Sequence, residues 1–386
     1  MKTIPYGHQW IKKDDINVVI ETLKSDYLTQ GPKIEEFERA IATYVGSKYA
    51  VVFNSGTAAL HAAYFAVGLE SGDKFITSPI TFAATANAGL YLGAKPVFAD
   101  IEKGTGNIDP RLIESVITKK MKLIVPIHYA GFPANLIKIQ DIARKHNLFV
   151  VEDASHALGA IYNKTKIGSC AYSDITTFSF HPVKHITTGE GGAATTNSKK
   201  LYEKMIMFRT HGITKEKRLL HQKHVGNWYY EMQNLGFNYR MTDIQAALGI
   251  SQLKKLPVFV KRRQEIAGLY DKAFHNNTFF DILGNAANSS SAYHLYPIML
   301  KEKYKRLKKE IFDELRKNKL GVQVHYIPVY WHPYYQKLDY KRGLCPISED
   351  FYQREISIPI YPSMGKEEIK YVIKKTLESF HKLCPI

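Results

Sequence analysis

From residue 49 to about residue 197 the chain alternates short β-rich runs with helix-like stretches, and this alternation constrains the fold more than any other feature. Candidate strands occupy residues 49–53, 75–77, 96–99, 123–128, 149–152 and 175–180, with helical patterns such as 57–67 and 136–145 between several of them. A helix between two strands carries the chain back, so that the second strand lies parallel to the first. The expected fold is α/β: a mixed, mostly parallel sheet with helices on both faces. In such sheets ligands sit beyond the carboxyl ends of the strands, and chemistry is sought there.

An amphipathic helix at 33–44 precedes the first strand, with Ile34, Phe37, Ile41 and Val45 at helical spacing. From about Met241 the pattern changes to longer helices. A Ser/Asn-rich break at 285–291 follows, then a strand at 294–299, a helix at 306–318 and a strand at 322–326. This reads as a smaller α+β unit. The expected division is a large domain with an N-terminal arm at 1–250 and a small C-terminal domain at 251–386, in keeping with chain length.

Several classes are disfavoured. The first fifteen residues contain no apolar signal-peptide core, and the longest apolar stretches, 123–127 and 148–151, are far short of a membrane span. A cytoplasmic protein with no membrane partner is expected. Cys170, Cys345 and Cys384 are scattered and form neither a disulfide framework nor a metal-binding spacing, so no metal is expected. The net charge of +17 attracts anions, among them nucleic acid, anionic lipid and diphosphates. The basic residues are spread along the chain, as on solvated helix faces. No zinc-finger spacing or RNA-binding aromatic signature accompanies them, and no nucleic-acid partner is expected.

Three segments carry candidate chemistry. Asn54-Ser55-Gly56-Thr57-Ala58 follows a strand and opens a helix, where backbone N–H groups and the helix dipole favour a phosphate; a plain capped turn reads the same way. Asp153 ends an apolar strand, where a carboxylate is costly unless partnered. A protonated pyridine nitrogen is one such partner, and a helix cap is another. Lys184 lies in an irregular turn after the strand at 175–180, ahead of Gly189-Glu190-Gly191-Gly192. A lysine there forms a Schiff base if its surroundings lower its pKa, and Ser179, five residues earlier, can donate to a phosphate.

Together these segments resemble the DegT/DnrJ/EryC1/StrS family of sugar aminotransferases, on the pyridoxal-phosphate (PLP)-dependent fold-type I, aspartate aminotransferase-like scaffold. The resemblance spans essentially the whole chain, from Leu28-Thr29-Gln30-Gly31 through Ser179 to Gly192. It continues with Leu235-Gly236-Phe237-Asn238-Tyr239-Arg240-Met241-Thr242-Asp243-Ile244-Gln245 and ends near Val324-His325-Tyr326-Ile327-Pro328. It implies that Lys184 anchors PLP and shuttles protons, that Asp153 pairs with the pyridine nitrogen, and that His156 sits near the phenolic oxygen. By the same resemblance Phe82 would stack on the ring, where plain core packing is the other reading. Gly56, Thr57 and Ser179 hold the phosphate, with Ala58 beside them. Asn238 reaches the phosphate of a second subunit, with Arg240 beside it, which implies a homodimer with shared active sites.

Within the family the chain resembles the aminotransferases of the pseudaminic-acid pathway. That likeness implies amino transfer from L-glutamate to the C4 keto group of a UDP-linked 4-keto-6-deoxy-N-acetylhexosamine. Tyr6, Asp26, Tyr27, Leu28, Thr29, Arg240, His325 and Tyr326 would then line the sugar-nucleotide site. Another nucleotide-linked 3- or 4-keto-sugar is an alternative. A PLP-dependent deoxysugar dehydratase is a further one, but there histidine replaces the anchoring lysine, whereas Lys184 is present with His185 next to it. A PLP-sensing DNA-binding regulator needs a helix-turn-helix domain, for which the roughly 30 residues ahead of the family pattern are too few. Residues 215–233, rich in His, Tyr, Lys and Arg, read either as a loop over the site or as a surface loop.

Overall fold

Seven strands form the central sheet of the computed structural model, which describes residues 2–222, 225–284 and 288–384. They are β1 (Tyr49–Phe53), β2 (Lys74–Thr77), β3 (Lys95–Phe98), β4 (Met121–Val125), β5 (Phe149–Asp153), β6 (Ile175–Ser179) and β7 (Gly192–Thr196). Their order is β1-β7-β6-β5-β4-β2-β3. β7 runs antiparallel to both neighbours and the other pairings are parallel. The expected mixed, mostly parallel sheet is therefore present.

β1, Tyr-Ala-Val-Val-Phe, reads as an unbroken apolar run because both faces of the sheet are covered. Along β1, Ala50 and Val52 join a core with Phe37 and Ile41 of helix α1 (Pro32–Val45). Val51 and Phe53 point the other way, into a core with Ala59, Ala62 and Tyr64 of helix α2 (Gly56–Ala66). Helix α3 (Ala83–Leu90) follows β2, and the long helix α4 (Asp243–Phe274) runs through residue 250 without a break. Beyond it, β8 (Phe280–Ile282), β9 (Tyr296–Leu300) and β10 (Glu355–Ile358) form an antiparallel three-stranded sheet in that order, with helix α5 (Lys308–Lys317) between β9 and β10 in the chain. Among the described residues no helix is long and apolar enough to cross a membrane.

One expected strand is absent. Residues 322–326 make only an isolated bridge between Gln323 and Ser357, while Leu320–Gly321 pairs with Ile4–Pro5. Side chains have taken the ladder partners: the His325 N–H donates to Glu355 Oε2 at 2.7 Å, and its carbonyl accepts from the Tyr129 hydroxyl at 2.6 Å. Of the expected break at 285–291, residues 285–287 lie outside the described residues, and Ser289–Ser290 pairs with Ile161–Tyr162. Within 215–233, residues 223 and 224 lie outside them too, and Glu231–Met232 pairs with Ile213–Thr214.

Two of the sequence motifs meet in space. Asp243, fully buried at the start of α4, accepts from the N–H groups of Gly31 at 2.8 Å and Lys33 at 3.0 Å. It thereby satisfies donors that the first turn of α1 would leave unpaired. The Asp243 N–H in turn donates to the Leu28 carbonyl at 3.0 Å.

The register of the sheet sets the site. Gly192 pairs with Ser179 on one side and with Phe53 on the other. A Cβ at Gly192 would lie 2.5 Å from the Ser55 carbonyl oxygen and 2.7 Å from Gly56 N and Cα. A Cβ at Gly56 would lie 2.9 Å from Ser179 Cβ. These two glycines let the start of α2 press against the end of β6. We predict that Gly192→Ala, which drives a methyl into backbone, lowers stability by about 1–3 kcal/mol. An unchanged denaturation midpoint would show that the corner yields freely.

Candidate active site

A cavity of about 630 Å³ opens where β5 and β6 end and α2 begins. Asp153, the last residue of β5, is 5% exposed and lines it. Its Oδ2 accepts from Thr85 Oγ1 at 2.6 Å, and its Oδ1 accepts from Ser155 N at 3.1 Å and Ser155 Oγ at 2.6 Å. Thr85 Oγ1 lies 2.7 Å from Thr81 Oγ1. Neutral donors thus orient the carboxylate, and among the described residues no cation pairs with it.

Lys184 reaches the same cavity from the turn after β6, where its N–H donates to the His181 carbonyl at 2.9 Å. Burial pushes its ammonium down to about 8, the Asp153 carboxylate opposes that shift, and Arg263 adds to it. Arg263 is fully buried on α4, with Nη1 bound to the carbonyls of Tyr293, His294 and Ile360. A lysine so placed has an appreciable fraction of nucleophilic amine near neutral pH.

His156 lies 3.0 Å through Nε2 from the Tyr326 hydroxyl, and its buried Nδ1 has no partner among the described residues. Burial holds His156 well below the ordinary histidine range, so it is neutral. At the other end of the cavity Ser55 caps α2, its hydroxyl accepting from Ala58 N at 3.1 Å. Gly56, Thr57 and Ser179 line the cavity there, and the first turn of α2 holds no acidic residue. Ala58 does not line it, because its N–H is taken by the cap and its side chain is buried. Phe82, 64% exposed, and Tyr6, His325 and Tyr326 form further wall.

Other sequence candidates lie elsewhere. Asp26, Tyr27, Leu28 and Thr29 are exposed and outside the cavity of their own chain. So is Asn238, whose carbonyl accepts from Asn54 Nδ2 at 3.4 Å. Arg240 lines a separate recess with Gln30 and Gly31. Sequence reasoning missed Thr81, Thr85 and Ser155; the four-residue spacing of the threonines, one just before and one just after the start of α3, was the available signal.

The profile of the DegT/DnrJ/EryC1/StrS aminotransferase family matches residues 9–377. The chain belongs to this family. It is similar to the UDP-4-amino-4,6-dideoxy-N-acetyl-beta-L-altrosamine transaminase of Campylobacter jejuni, 44% identical over 97% of each chain. Among solved structures it is similar to Helicobacter pylori PseC, an aminotransferase involved in pseudaminic-acid biosynthesis. The TM-score there is 0.93, with 39% identity over 99% of this chain and 100% of that one. A putative sugar aminotransferase, Spr1654 of Streptococcus pneumoniae, in its PLP form, superposes with a TM-score of 0.92 at 29% identity over 99% of each chain.

This family member is accordingly a PLP-dependent sugar aminotransferase. Its own residues fit that cofactor: a helix start free of acidic side chains for a phosphate, a buried carboxylate without a cation, an amine of lowered pKa, and an unpartnered His156 nitrogen.

The opposing effects on Lys184 give a pH prediction. In the cofactor-free protein, labelling of Lys184 by an aldehyde reagent should rise with pH and level off above about 8, well before exposed lysines do. Asp153 stabilises the ammonium, so Asp153→Asn should move that plateau to lower pH. Mass-spectrometric labelling rates check this, and an upward shift would contradict the electrostatics.

Proposed function

We propose that this enzyme transfers an amino group from L-glutamate to the C4 keto group of a UDP-linked 4-keto-6-deoxy-N-acetylhexosamine, in the cytoplasm, as a homodimer with shared active sites. The observation that carries the chemistry is the pairing of Lys184, with its lowered pKa, and the cation-free Asp153 in one cavity. The likeness to the Campylobacter jejuni transaminase supports the choice of sugar.

PLP, when bound, supplies an electron sink for charge developing at the carbon that loses or gains a proton. Lys184 Nζ would hold the cofactor, and its amine would take up and return a proton as general base and acid. Asp153 would face the ring nitrogen and favour a proton there. Gly56 and Thr57 N–H groups and the Ser179 hydroxyl would bind the phosphate, as helix starts do. Phe82 would cover one face of the ring and exclude water, and His156 would hold its phenolic edge.

The dimer reading rests on what one chain lacks. Among the described residues Lys184 is the one Lys or Arg lining the cavity, which suits a diphosphate poorly. Asn238 and Arg240 lie outside it, and Tyr91 at 58%, Trp228 at 74% and Leu235 at 78% are exposed. A second copy would cover such apolar groups and deliver the missing polar ones.

Incubation with PLP, glutamate and the keto-sugar should yield a 4-amino sugar and 2-oxoglutarate, and Lys184→Ala should lose at least about 10²–10⁴-fold in turnover. Near-normal turnover by that variant, or none by the wild type on any UDP-linked 4-keto-sugar, would overturn the reading. Mixing Lys184→Ala subunits with Asn238→Ala subunits should restore part of the activity, since each heterodimer carries one intact site. No recovery despite confirmed subunit exchange would place each site within one chain.

A further inference from the structure

Glu355 opens β10, is fully buried, and has no part in the chemistry above. A carboxylate in that position is costly unless hydrogen-bonded. Oε2 accepts the His325 backbone N–H at 2.7 Å, and Oε1 accepts the Ser357 hydroxyl. The same Ser357 oxygen lies 2.9 Å from His325 Nδ1.

These contacts determine a tautomer. A hydroxyl has one proton to give. While Glu355 is ionised, Ser357 gives its proton to it, so toward His325 it can only accept. The imidazole proton therefore sits on Nδ1, and Nε2 is a bare acceptor. The ring is neutral, because burial and the nearby Lys184 push it down to about 3. His325 lines the cavity, and its Nε2 meets no hydrogen-bond partner among the described residues.

We infer that Glu355, acting through Ser357, fixes His325 as the Nδ1–H tautomer and so makes Nε2 a dedicated acceptor for a hydroxyl or amide N–H of the sugar substrate. The recognition half of this rests on the function proposed above. Glu355 is thus a positioning residue, remote from the reacting atoms. Lys308 of α5 acts on it, and Glu355 in turn raises the Tyr129 and Tyr326 hydroxyls. Burial pushes the Glu355 carboxyl up, and Lys308 opposes that shift.

Glu355→Gln keeps the shape and reverses the polarity. The His325 backbone N–H can only donate, so it takes the amide oxygen and turns the amide NH₂ toward Ser357. Ser357 then accepts on that side and donates to Nδ1, which moves the imidazole proton to Nε2. In the ¹⁵N-histidine-labelled holoenzyme, above the raised titration range of Glu355, NMR should show wild-type His325 with Nδ1–H and the variant with Nε2–H. A His325→Asn sample assigns the signal.

The KM for the sugar nucleotide should rise about tenfold or more in Glu355→Gln, as for a lost and inverted hydrogen bond. The rate of the glutamate half-reaction should stay unchanged. Ser357→Ala, which keeps the carboxylate but cuts the link, should raise KM by a smaller factor, and it carries the test if the first variant fails to fold. An unchanged tautomer in Glu355→Gln, or an inverted one with unchanged KM, overturns the inference. A wild type that turns over no nucleotide sugar overturns the proposed function and the recognition half with it, while the NMR arm still decides the tautomer.

Discussion

Asp153 is a buried anion held by hydroxyls and a backbone N–H instead of a cation, and the rest of the site answers to that arrangement. An arginine or lysine in contact would have neutralised it in a structural ion pair. Thr85 and Ser155 orient the carboxylate yet leave its charge to act on the cavity. Lys184 feels it directly: burial and Arg263 favour the free amine, Asp153 favours the ammonium, and the balance falls near neutrality. A stronger anion would make the amine unreactive, and a weaker one would leave it poorly poised to return a proton.

Backbone packing supports this electrostatic arrangement. The strand β7, antiparallel between β1 and β6, sets the end of one parallel strand beside the start of a helix that follows another. Only the absence of side-chain carbon at Gly56 and Gly192 allows the approach. The phosphate-type cradle and the reactive lysine turn thus share one rigid corner, and the geometry of each depends on the other.

Strands β1 to β6 of the central sheet were legible because each stands as a short β-rich run set off from the helical patterns around it. Lys184, Asp153, Ser179 and Gly56 were legible because their chemistry is carried by short contiguous motifs at strand ends. The segment 322–326 was misread as a strand because its alternation is real while its ladder partners are side chains, Glu355 and Tyr129, which no local pattern reveals. The contact of His156 with Tyr326 joins residues 170 apart in the chain. Asp26 to Thr29, Asn238 and Arg240 bear motif-like sequence but lie outside their own cavity, where a single chain gives them no chemistry to perform.

Asp243 completes the N-terminus of α1 across a separation of 212 residues. On a growing chain, α1 emerges long before its cap exists. Its amphipathic face can meet β1 early, but the donors at Gly31 and Lys33 wait for the start of α4. Closing so long a loop is a slow, late event relative to local helix and strand formation. The order of synthesis therefore leaves the Leu28–Gly31 segment unsettled until most of the central sheet is in place, and its locking marks the passage from a formed sheet to a finished enzyme.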